Sequence, residues 1–177
     1  MLYFAFFFWR KPVIESNTTT FSYYKNNAYF AIFIGLILLF TVESIVAHFF
    51  LAKFDRTLAW VATLASIYTI LWLWGDFQAI RLNPIAINDQ ELKLNAGLRW
   101  QISVPREMIK EVIDISKAGK LTERKDYLSM TIAGEPELVI ALNQSLKAKG
   151  LFSITKECKY IGIFVDDLPA FKQTLMA

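Results

Sequence analysis

Two apolar runs lie back to back near the start of this chain, parted by four residues. Ala28 to Ala52 forms the first and Thr57 to Gly75 the second, with Lys53-Phe54-Asp55-Arg56 between them. The first run holds one carboxylate, Glu43, and one histidine, His48; the second holds no ionisable group except the phenol of Tyr68. A bilayer core about 30 Å thick is crossed by about 20 helical residues at about 1.5 Å each. Hydrocarbon offers the backbone no hydrogen-bond partner, so each run is expected to be helical. The spacing predicts a transmembrane helical hairpin over 27–82, with helices at about 27–52 and 57–82. Trp60 near one end and Trp72 and Trp74 near the other fit the aromatic girdles of such helices. Pro84 ends the second helix, because its ring and missing N–H forbid continuation.

The flanks set an orientation. Arg10, Lys11 and Lys25 precede the hairpin, Lys53 and Arg56 sit in its link, and Arg81 begins the remaining basic residues. The positive-inside rule then places both termini in the cytoplasm, and the expected location is a bacterial inner membrane, crossed twice. Residues 1–26 are expected to be a cytoplasmic or interfacial segment. Within it Met1 to Trp9 is apolar but precedes its positive charges, the reverse of a signal peptide, and reads as a strand or interfacial piece. Val13 to Asn27 reads as a loop or short extended lead into the bilayer.

An ionisable side chain inside a spanning helix is a functional candidate by default. Glu43 has two readings. It could serve a proton or ion relay with His48 and Tyr68, as a small transport component of an oligomeric membrane complex. It could instead be a buried glutamate that holds the hairpin or a homo-oligomer together. Asp76 falls near the inner boundary, where Arg81 or Lys25 is expected to neutralise it.

Past Pro84 the hydrophobic period changes from that of a helix to that of a strand. Leu92 and Leu94 alternate with Glu91, Lys93 and Asn95. Leu98, Trp100, Ile102 and Val104 alternate with Arg99, Gln101 and Ser103. Further strands are predicted at Ile109 to Ile115, Tyr127 to Ile132, Leu138 to Leu142 and Lys159 to Val165. Gln144 to Phe152 fits a strand or a loop, and Lys117 to Asp126 reads as a polar loop. Asp166-Asp167 followed by Pro169 is a helix start, with Phe171 and Leu175 on one face. Residues 83–177 are therefore expected to be a mainly β domain. It would hold about seven antiparallel strands in a small barrel or sandwich, capped by one C-terminal helix.

Several local patterns carry a resemblance. Asn88-Asp89-Gln90-Glu91-Leu92, Gly97-Leu98-Arg99-Trp100, Val104-Pro105 and Ile109 follow one another in the first half of the domain. Gly150-Leu151-Phe152, Ile161 to Asp167 and Phe171 follow in the second. This pattern, preceded by a two-helix hairpin, resembles the bacterial pleckstrin-homology-like (PH-like) domain membrane proteins. The resemblance implies a PH-like fold with a membrane anchor, and it brings no catalytic residues with it.

Chemistry is sparse. The single cysteine, Cys158, rules out an intrachain disulfide, and one histidine argues against most zinc sites. Glu107/Glu111 reads as a solvated face and Asp166/Asp167 as a helix cap. No enzymatic activity and no cofactor are expected. After Phe77 there are 14 Lys and Arg against 12 acids, too small an excess for a nucleic-acid partner. The candidate lipid- or partner-binding residues are Lys117, Lys120, Arg124 and Lys125, in the KAGKLTERKD loop. The sequence thus predicts a membrane-anchored interaction or scaffold module. Its partners would be the bilayer and either another protein or a second copy of the chain.

Overall fold

In a computed structural model of the chain, the structure describes residues 18–26 and 28–176. The expectation for Met1 to Trp9 lies outside them. Two long helices pair as a hairpin: α1 spans Tyr29–Leu51 and α2 spans Arg56–Leu82. Asp55 starts α2 by accepting hydrogen bonds from the Thr57 and Leu58 N–H groups at 2.6 and 2.9 Å, two of the donors that a first helical turn leaves unused. Asn83 closes it through its side-chain and backbone N–H groups, both donating to the Ala79 carbonyl, and Pro84 then turns the chain into the sheet.

Both helices are long and apolar enough to cross a membrane. Their side chains are mostly uncovered: only 6% of the most apolar stretch of α1, and 11% of that of α2, is buried. A core helix of a water-soluble domain would be hidden instead. The hairpin is unequal. α2 has 27 residues against 23, and its C-terminal part, Gly75 to Ile80, packs against the β domain. There Gly75, Asp76, Gln78, Ala79 and Ile80 are buried.

The domain is one open, mostly antiparallel sheet of eight strands. They are β1 (Thr19–Phe21), β2 (Ile85–Ile87), β3 (Glu91–Ala96), β4 (Trp100–Pro105), β5 (Ile109–Asp114), β6 (Tyr127–Ser129), β7 (Leu138–Gly150) and β8 (Thr155–Ile163). The order is β1-β2-β3-β4-β7-β8-β6, with β5 also paired to β7. The expected alternation holds in β3 and β4: Leu92 pairs with Val104 and Leu94 with Ile102, all four buried. β7 pairs with β8 and is long enough to serve two further partners. Its start pairs with β5 and its end, at Lys149 and Gly150, with the start of β4. The core inside the curved sheet includes Leu92, Leu138, Ile140, Leu142 and Ile161.

Helix α4 (Leu168–Met176) closes the core with Phe171, whose ring meets Phe21 edge-on at 5.4 Å. Arg106 donates to the carbonyls of Thr174 and Leu175 at its C-terminus.

Three expectations change and one open alternative is resolved. The strands number eight, because Thr19–Phe21, within the expected loop or short extended lead, pairs with Ile85–Ile87 as an edge strand. They form one open sheet in place of a barrel or sandwich. Gln144 to Gly150, which fits a strand or a loop by sequence, is strand, as the continuation of β7. The polar loop contains a helical turn, α3 (Ile115–Ala118), and a 3-10 turn at Gly119–Glu123.

Candidate functional site

The junction between hairpin and sheet is built on Asp76, a carboxylate only 2% exposed. Burying a charge is costly unless it is paired and hydrogen-bonded. Among the described residues Asp76 accepts from the Tyr29 hydroxyl on α1 at 3.2 Å, the Leu98 N–H at 3.2 Å and the Arg99 guanidinium at 3.4 Å. One residue therefore ties both helices to the β3–β4 turn. Arg99 also donates to the Ile132 carbonyl at 3.0 Å, carrying the link to the segment after β6. The turn can approach because residue 97 is glycine. Its φ is +58°, and a Cβ there would stand 2.7 Å from the Asp76 carboxylate and 2.9 Å from Ile80.

Tyr23 completes the junction. Its hydroxyl accepts from the Gly97 N–H at 3.2 Å and donates to the Asn83 carbonyl at 3.3 Å, at the end of α2. Burial pushes the Tyr23 phenol well above its ordinary range. The Gly97 hydrogen bond opposes that shift and the nearby Asp76 charge adds to it. The expected partners of Asp76, Arg81 and Lys25, are not the ones used. Arg81 follows Asp76 by five residues, which places it about 140° round the helix. The ion pair of Asp76 among the described residues is with Arg99.

Asp166 makes the second tie. Its carboxylate accepts from the N–H groups of Tyr24, Lys25 and Asn26 at 3.2, 3.1 and 2.8 Å, immediately before α1. The two aspartates expected as one helix cap thus divide their work. Asp167 caps α4, accepting from the Ala170 N–H at 3.1 Å, while Asp166 fixes the lead into the hairpin.

The basic loop lies on the sheet domain. Lys117, Lys120, Arg124 and Lys125 are all exposed. Arg124 is committed to Asp126, at 2.9 and 3.2 Å, and stacks over the Tyr160 ring. That pairing raises the Arg124 pKa and lowers that of Asp126 below the usual carboxylate range. Lys117, Lys120 and Lys125 form no ion pair among the described residues. The loop borders an open cleft lined by Ile115, Gly119, Thr122, Tyr127, Ser129 and Pro136.

The polar residues of the hairpin do not gather. His48 faces α2, with Nδ1 2.8 Å from the Thr63 hydroxyl. That hydroxyl already donates to the Ala59 carbonyl, so it accepts from His48 Nδ1–H, which fixes the tautomer. Glu43 is exposed on α1, and Tyr68 is 60% exposed on α2. No hydrogen bond or ion pair among the described residues joins Glu43, His48 and Tyr68.

Sequence reasoning missed Arg99, Tyr23 and Tyr29 as members of the junction. The available signals were a carboxylate near the C-terminal end of a long apolar helix and a glycine turn followed by an arginine. Among the described residues no three His, Cys, Asp or Glu side chains converge as metal ligands. Comparison of the chain with known protein families, with curated proteins and with solved structures finds no match to any of them.

Proposed function

We propose that the chain is an integral membrane protein whose hairpin anchors a PH-like domain, and that the domain works as an interaction or scaffold module at the cytoplasmic surface of a bacterial inner membrane. The observation that carries this reading is the cleft beside the basic loop, on a domain joined to the hairpin without a flexible linker. Asn83 and Pro84 alone separate α2 from β2. The cleft and the amines of Lys117, Lys120 and Lys125 are therefore displayed at a set height and angle. An acidic partner surface fits this chemistry, since exposed charges steer association and fix register more than they add affinity.

Crosslinking the full-length protein in native membranes, followed by capture and mass spectrometry, tests the proposal. A recurrent stoichiometric partner, lost in Lys117→Glu/Lys120→Glu/Lys125→Glu, supports it. Crosslinks confined to α1 and α2 of neighbouring copies, unchanged by the triple substitution, would sink it in favour of a helix-mediated oligomer. Reporter fusions at the C-terminus test the orientation: a fusion active only outside the cytoplasm contradicts it.

A further inference from the structure

We infer that the β7–β8 hairpin tip, Leu151–Ile154, is a third membrane contact. Phe152 and Ile154 form an apolar wedge that enters the interfacial layer of the bilayer crossed by α1 and α2. This rests on the reading above that those helices span a membrane.

Exposure is the first observation. Outside the two long helices and their link, the exposed large apolar side chains among the described residues are Phe152, Ile154 and Met176. Phe152 is 88% exposed and Ile154 60%. A sheet that hides nearly all its other large apolar side chains thus presents two of them, two residues apart, at one tip. The backbone holds them there. Phe152 and Ser153 have φ of 55° and 63°, a left-handed conformation that residues other than glycine seldom adopt even singly. The turn is fastened at its base: the Gly150 N–H donates to the Ile154 carbonyl at 2.6 Å, and the Ile154 N–H to the Leu151 carbonyl at 3.2 Å. Beneath it lies Trp100, so close that a Cβ on Gly150 would stand 2.9 Å from the indole.

Position is the second observation. The Leu151 N–H donates to the Arg99 carbonyl at 3.2 Å, and the Arg99 side chain binds Asp76 of α2. Asp76 follows Arg56, the first residue of α2, by 20 residues, about 30 Å of helical rise and about the thickness of a hydrocarbon core. At this point α2 also passes from exposed to buried. The tip therefore stands two hydrogen bonds, through Arg99, from Asp76 at the membrane boundary. Its direction follows from the sheet. β7 runs antiparallel to β4, and β4 leaves the turn that is seated on α2. β7 thus runs toward that turn, and the tip extends beyond Gly150 on the hairpin side.

Charge agrees with a lipid surface. Lys149, two residues before Leu151, is exposed, and Arg99 is half-exposed beside the tip. Lys156 is turned to the Tyr127 carbonyl, and Lys147 lies 3.8 Å from Glu157. An aromatic tip flanked by cations is the composition that settles at the level of anionic headgroups.

The test uses full-length protein in phosphatidylcholine liposomes containing phosphatidylglycerol. In a Cys158→Ala background, Phe152→Cys and separately Ile154→Cys receive an environment-sensitive fluorophore. Asn143→Cys, an exposed site on β7, is the aqueous control and Leu39→Cys on α1 the lipid control. The tip labels are expected to emit to the blue of Asn143 and to show a several-fold smaller iodide quenching constant. Lipids brominated near the headgroup end of the acyl chain should quench them more than lipids brominated near its end. Tip labels quenched by iodide as fully as Asn143, or shielded from iodide yet untouched by brominated lipid because protein covers them, overturn the inference. If Leu39 itself escapes brominated lipid, the spanning reading fails; if Leu39 is quenched and the tip is not, only this inference falls.

Discussion

The Asp76 carboxylate occupies the space that a side chain on Gly97 would need: 2.7 Å separates its oxygen from the position of a Cβ there. The contact between α2 and the β3–β4 turn exists because residue 97 has no side chain.

Gly97→Ala is expected to destabilise the protein by roughly 2–4 kcal/mol, combining left-handed strain with displacement of a buried carboxylate. Thermal unfolding of the detergent-solubilised protein measures it. Gly35→Ala on α1 is the control, since nothing lies within 4 Å of a Cβ there. That variant should hold or slightly raise the midpoint.

Arg99→Ala leaves the Asp76 charge buried with its neutral donors alone. The guanidinium side is 44% exposed, so the expected loss is about 1–3 kcal/mol, below that of a fully buried pair. Asp76→Asn in the same background should recover part of it. A double-mutant cycle giving no coupling between the two positions contradicts the assigned pairing.

Asp166→Ala frees the N–H groups of Tyr24, Lys25 and Asn26, and trypsin should then cut after Lys25 several-fold faster. Asp167→Ala removes only the α4 cap, worth about 1 kcal/mol, and should leave that cleavage rate unchanged. Equal acceleration in both variants would show that the two aspartates do not divide their work.

Burial pushes the Cys158 thiol up to about 11. The folded chain therefore keeps this proton between pH 9 and 11 while the unfolded chain loses it. The associated stability is complete below pH 9 and is lost as pH rises through that window. At pH 8 the thiolate fraction is on the order of one in a thousand, against roughly a tenth for the thiol of the unfolded chain. Maleimide labelling followed by mass should be very slow in the folded protein and fast in denaturant. Cys158→Ala should flatten the stability loss between pH 9 and 11.

What was legible in the sequence tracks how local its cause is. The helices follow from uninterrupted apolar length, and their observed ends fall within two residues of those expected. β3 and β4 follow from alternation that a sheet with one covered face requires. Thr19–Phe21 was hidden because three residues show no period, and its partner Ile85–Ile87 lies across the whole hairpin. β6 was overextended because Met130 and Ile132 are buried as a strand's residues would be, yet they lie beyond its pairing with β8. At the candidate site, the exposed lysines of the loop were readable from composition. The Asp76 partnership was not, because Arg99 is 23 residues away and is delivered by a turn rather than by a helical repeat.

The direct run of α2 into β2 has a mechanical consequence. Spanning helices answer a thinner or thicker bilayer by tilting. Here no swivel lies between helix and sheet: Asp76 of α2 binds Tyr29 of α1 and the β3–β4 turn, and Asp166 holds the lead into α1. With the hairpin in a bilayer, a change of tilt becomes a rotation of the whole sheet, and membrane thickness is converted into the heading of the domain's outer face.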